Sequence, residues 1–167
     1  MACPCNGQVL AYRIASSRHP IFDSTGARLF GSRWFSRNSS VIHAASSYSG
    51  ALLEVLVHAN SDKLPAGFQW VRIEIPRDLI HWPAKLPHGW EADDAHDDHT
   101  PARQFGNDWY RSQRSAVLAV PSVPTRGIEW NLLINTQHRH FSQIAYTRPE
   151  PVAWDLRVLR LKTAGSA

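Results

Sequence analysis

Apolar and polar positions divide the chain into several short strand-like runs and one long apolar helix. FQWVRIEIP, residues 68–76, puts Val71, Ile73 and Ile75 on one side of a strand and Trp70, Arg72 and Glu74 on the other, and Pro76 ends it. VLAYRIAS, residues 9–16, predicts a first strand. SVIHAA predicts a brief one in which Val41 and His43 share a face. SAVLAVPS is a compact apolar strand stopped by Pro121, and EWNLLINTQHRHF begins as another. In the tail EPVAWDLRVLRL the alternating Val and Leu predict a closing strand.

SSYSGALLEVLVHANS carries the strongest helical pattern, with Ser46 or Ser47 as its cap and Asn60 near its end. Ser47, Gly50, Glu54 and His58 recur at steps of three and four and so line one narrow stripe. Aliphatic residues take the remaining positions, which predicts a largely buried helix. Residues 19–40 are rich in Gly, Ser and Arg without steady period and read as mostly loop; residues 77–113 are a Pro-punctuated connection whose end, ARQFGNDWYRSQ, suits a short helix. No internal repeat or inter-domain linker interrupts the chain. Residues 1–167 therefore form one α+β domain, richer in short strands than in helix.

Composition narrows the function classes. At 167 residues the chain can build a real core, and it has no stretch near the roughly 18 apolar residues of a membrane span. The start, MACPCNGQVL, lacks a basic segment followed by an apolar one, which points to the cytoplasm. Residues 1–8 read as a flexible N-terminus carrying Cys3 and Cys5 as reduced thiols, since CPC alone is too little for a metal site. The net charge of +4 suits an anionic partner, and arginine, which outnumbers lysine, favours bidentate contact with phosphate or carboxylate. The cations are scattered, without a run or helical stripe, so direct nucleic-acid binding is poorly supported; an RNA- or protein-docking module using the seven tryptophans stands as an alternative.

Glu54 poses the sharpest question, because an unpaired carboxylate among aliphatic side chains costs several kcal/mol to bury. It is either half of a buried ion pair or a group at the wall of a pocket. In GSRW, Arg33 beside Trp34 suits an anionic group sealed from water, or else stacks on a surface indole. Ser122 in VPSVP lacks the GxSxG context of a nucleophile and reads as a hydrogen-bond donor or turn residue. HGWEADDAHDDH gathers His88, Asp93, Asp94, His96, Asp97, Asp98 and His99, which makes a metallohydrolase the second alternative, against a solvated loop. His138 and His140 form a weaker cluster.

Taken in order, YRI, GSRW, VIHAASSYSGALLEVLVH, VLAVPSVP and NLLIN resemble the RES family of bacterial toxins over about residues 12–140. The family is named for an arginine, a glutamate and a serine, matched here by Arg33, Glu54 and Ser122. The resemblance implies a split, strand-rich core like that of the diphtheria-toxin-type ADP-ribosyltransferases. It implies NAD+ as a consumed substrate, cleaved at the nicotinamide–ribose bond, with ADP-ribose passing to a host protein, water or phosphate and growth arrested. It further implies a cognate Xre-type helix-turn-helix antitoxin that blocks the pocket, and it calls for neither a recycled cofactor nor a metal. Absence of GxGxxG agrees with NAD+ not serving as a hydride carrier. Glu54 and Arg33 would be catalytic, and Arg33, His43, Ser122, Trp34 and Tyr48 would contact NAD+. His58 would stand behind Glu54 or pack in the core. One departure is notable: members commonly carry tyrosine in patterns like VVYAS, where this chain has His43 in VIHAA.

Overall fold

A computed structural model describes residues 7–59, 66–91, 99–155 and 157. Among these residues eight strands form one sheet: β1 (Gln8–Ser16), β2 (Val41–Ala45), β3 (Phe68–Pro76), β4 (Ile80–His81), β5 (Val117–Pro121), β6 (Trp130–Asn135), β7 (Ala145–Tyr146) and β8 (Glu150–Pro151). Among the described residues three complete α-helices accompany them: α1 (Thr25–Phe30), α2 (Tyr48–His58) and α3 (Thr100–Ser112). The strand order is β4-β5-β6-β2-β1-β3-β7, with β8 also on β3; every pairing is antiparallel except β4 with β5.

The sheet is split. β1 runs alongside β3 from the pair Gln8–Pro76 to the pair Ser16–Phe68, whereas it meets β2 only at Tyr12–Ala45. Where the two strands part, the Arg13 side chain bridges the gap: Nη1 donates to the His43 carbonyl at 2.9 Å and Nε to the Ile21 carbonyl at 2.6 Å. A buried carbonyl that loses its strand partner must find another donor, and here the guanidinium supplies it.

Alternation decides which residues fill each face. Val71, Ile73 and Ile75 of β3 are fully buried, on the face that also receives Ile42, Ala44, Leu132 and Ile134. The opposite face packs Val41, Leu118, Val120 and Leu133 against Trp34, Phe35 and Trp109 of the covering segments. β5 is therefore buried on both faces, as its unbroken apolar run requires. α3 lies tightly on this second core: a Cβ at Gly106 would overlap the Trp34 carbonyl, and Trp109 Nε1 donates to Ser115 Oγ at 2.8 Å.

Two expectations, for the tail and for α2, are corrected, and one is refined. The segment read as mostly loop is so, apart from the six-residue helix α1. The tail pairs as a strand only at Glu150–Pro151; residues 156 and 158–161 lie outside the described residues. α2 is not largely buried, since only Gly50 and Ala51 are, while Leu53 and Val57 are 36% and 55% exposed. The helix lies across β1 and β2 and borders a cleft, so part of its apolar surface meets neither core. The expected flexible start and its cysteines fall on residues 1–6, outside the described residues, except that Gln8 already belongs to β1.

Candidate active site

Glu54 reaches the cleft because α2 is fixed at its start. Ser47 is the N-cap, its Oγ accepting from the Gly50 amide at 2.8 Å, and Glu54 follows one turn beyond Gly50 on the same stripe. Its Oε1 accepts from Ser122 Oγ at 3.1 Å and from Asn131 Nδ2 at 2.7 Å. Oε2 has no hydrogen-bond partner among the described residues, and no described arginine or lysine pairs with this carboxylate. Neutral donors therefore hold one oxygen in place, and no cation among the described residues pairs with the carboxylate. That is the pocket-wall alternative, not the buried ion pair.

The cleft has a volume of about 540 Å3, within the roughly 300–1,000 Å3 of small-molecule sites. It opens along the split between β1 and β2, and Tyr12, Arg13, His43, Glu54, His58 and Asn131 are among its walls. Arg13 is the only arginine or lysine among the described lining residues. Burial lowers its pKa to about 10, against the opposing pull of Asp23, which leaves it cationic at neutral pH. Burial, with Arg13 and His58 adding to it, pushes the His43 imidazole down to about 3. His43 is thus neutral in the cell's pH range and tilts against Phe35 with ring centres 5.1 Å apart.

The structure brings some of the expected residues together and separates others. Glu54 and Ser122 are hydrogen-bonded, and His43 and His58 share the cleft with Glu54. Arg33 lines an adjoining cavity of about 560 Å3, where Nη1 donates to the Trp90 carbonyl at 3.1 Å and meets His99 Nδ1 at 3.1 Å. Phe30, Gly31 and Ser32 wall both cavities. Gly31 can do so because its φ is +71° and a Cβ would come within 3.0 Å of the Phe35 carbonyl.

Trp34, 4% exposed, packs edge-on to Phe105 and lines neither cavity. Tyr48 also lies outside both lining sets; it stands edge-on to Tyr12 and Trp70, with burial raising its pKa. Asp93, Asp94, His96, Asp97 and Asp98 lie outside the described residues. Among the described residues no group of three metal-capable side chains occurs. His138 is 7% exposed, and its Nε2 is hydrogen-bonded to the Gln113 carbonyl.

Sequence reasoning missed Tyr12, Arg13 and Asn131. Arg13 carries the same signal as Glu54, a charge inside an apolar run, and Asn131 opens the buried strand NLLIN with a polar side chain.

The fold and the cleft define an α+β protein whose split sheet holds a carboxylate against neutral donors. The chain belongs to the RES domain family, whose model matches residues 10–155. It is 37% identical over 140 residues to the Prs ADP-ribosylating toxin of Sphingobium sp. (strain YBL2), covering 81% of this chain and 84% of the relative. It is 33% identical over 159 residues to Toxin Res of Yersinia enterocolitica, covering 90% of this chain and 99% of the relative. A crystal structure of the M. tuberculosis MbcT–MbcA toxin–antitoxin complex contains a chain of the same fold, with TM-score 0.69, 17% identity, and 94% of this chain and 90% of that one covered. No helix among the described residues is long and apolar enough to cross a membrane.

Proposed function

We propose that the protein is the toxin of a bacterial toxin–antitoxin pair and consumes NAD+ by breaking its nicotinamide–ribose bond. The observation that carries this is Glu54: a carboxylate in a nucleotide-sized cleft, with one oxygen fixed by Ser122 and Asn131 and the other without a partner among the described residues. Breaking the bond sends its electron pair to the pyridinium nitrogen and leaves positive charge on the anomeric carbon and ring oxygen. A preorganised carboxylate stabilises that charge more than it stabilises bound NAD+, which raises turnover. The same group takes a proton from the incoming nucleophile as the new bond to the anomeric carbon forms.

Neutral His43 presents a flat ring without adding charge beside the leaving nicotinamide. Arg13 in the cleft and Arg33 in the adjoining cavity give the pyrophosphate two cations along one continuous wall. A relative named as a Prs ADP-ribosylating toxin supports a protein acceptor over water or phosphate. The partner is an antitoxin of Xre type that covers the cleft, whose lining residue Phe30 is exposed, as are Leu29 of α1 and Leu53 and Val57 of α2 on the two helices that contribute to its wall. Incubation with NAD+ labelled on the adenylate half tests the reading. Label on a protein band from host lysate supports transfer, label in small molecules supports hydrolysis or phosphorolysis, and intact NAD+ refutes both.

A further inference from the structure

Glu129 belongs to no assigned site, yet it ties the two ends of the Glu54 support together. We infer that Glu129 is a positioning residue that sets where the Glu54 carboxylate stands, an inference that rests on the NAD+ reading above. Its carbonyl accepts from the Ser122 amide at 2.9 Å, and Ser122 Oγ in turn holds Glu54. Its Oε2 accepts from Ser47 Oγ at 2.8 Å, and Ser47 Oγ holds the Gly50 amide, one turn before Glu54. The ring Glu54–Ser122–Glu129–Ser47–α2 is closed. Thr125 stiffens it, accepting from the Glu129 amide at 3.1 Å and donating to the Ser122 carbonyl at 3.2 Å.

Gly50 is part of the device. A Cβ there would lie 2.5 Å from Glu129 Oε2, so alanine at this position displaces the carboxylate from the first turn of the helix. The negative charge also stands where the helix dipole favours it. A helix as exposed as α2 needs such a clamp. With side chains reaching about 5–6 Å from the axis, a rotation of about 10° moves a carboxylate by about 1 Å. A displacement of that size at a reacting centre costs on the order of 10²-fold in rate.

The test uses the full-length chain. Glu129→Ala and Gly50→Ala are expected to lower kcat for nicotinamide release by about 10–100-fold while the Kd for NAD+ changes less than about 3-fold. Glu129→Gln keeps an acceptor for Ser47 and restores kcat to within about 5-fold of wild type. Independently of activity, Glu129→Ala speeds hydrogen exchange of the Gly50 amide about 10-fold or more. Where Glu129→Ala does not fold, Glu129→Asp, which withdraws the charge by one methylene, carries the same expectations. Wild-type kcat in Glu129→Ala, with Glu54→Gln inactive in parallel, overturns the positioning role and leaves the NAD+ reading standing. No nicotinamide release from wild-type protein overturns the NAD+ reading instead, and the exchange rate of Gly50 then decides whether Glu129 clamps the helix.

Discussion

Glu54→Gln separates charge from shape in one substitution. Oε1 of glutamine still accepts from Ser122 and Asn131, so the ring around α2 stays closed. Each bond drops from a charge-assisted one, about 1.5–3 kcal/mol, to a neutral one, about 0.5–1.5 kcal/mol, a combined loss of about 2 kcal/mol. Relief of the carboxylate's desolvation opposes that loss, so the net effect on stability is about 1 kcal/mol and Tm moves by about 2–4 °C. The effect on catalysis is larger. Removing one preorganised electrostatic group costs about 10²–10³-fold in kcat, or about 2.7–4 kcal/mol of transition-state stabilisation. NAD+ binding falls little, because in the ground state the positive charge sits on the pyridinium ring and not on the ribose carbon that Glu54 meets. The assay follows nicotinamide release at saturating NAD+, with Kd measured by calorimetry on the same preparation. Release within about tenfold of wild type, from a folded variant with unchanged Kd, refutes the electrostatic role derived for Glu54.

Three further perturbations probe the walls of the cleft. Arg13→Met strips the donor from the carbonyls of His43 and Ile21 at the split and is expected to cost about 3 kcal/mol in urea denaturation; a loss under about 1 kcal/mol refutes the bridging role. His43 has its folded pKa lowered from 6.5 to about 3, so below pH 6.5 the unfolded chain binds a proton that the folded chain refuses. Stability from this group is complete above 6.5 and is lost as pH falls, by about 2 kcal/mol between pH 7 and pH 5. His43→Asn should lose that much less over the same interval, and equal losses in the two proteins count against a buried neutral imidazole. Trp34→Phe removes packing from the core beneath α3 and is expected to cost about 1–3 kcal/mol while NAD+ affinity stays the same; weakened affinity at full stability returns Trp34 to the binding site.

Local pattern by itself determined most of the strands, the cap and stripe of α2, and the oddity of Glu54. Alternation over Phe68–Pro76 fixes which side chains face inward wherever the strand is placed, and Ser47 before an apolar helical run caps it in any context. The ordered segments from YRI to NLLIN also carried the family. Tertiary structure alone decided what stands beside what. That β1 touches β2 at a single pair, opening a cleft bridged by Arg13, depends on strands about 30 residues apart in sequence. That Trp34 is buried depends on α3 pressing Gly106 against its backbone. Arg33 turns into the adjoining cavity because Trp90 and His99, from a distant connection, meet it there. α2 is exposed despite its apolar sequence because a helix bordering a cleft has neighbours on only part of its circumference. Periodicity records which face of an element is apolar, and the closing of long loops, absent from any local window, selects the residues that meet it.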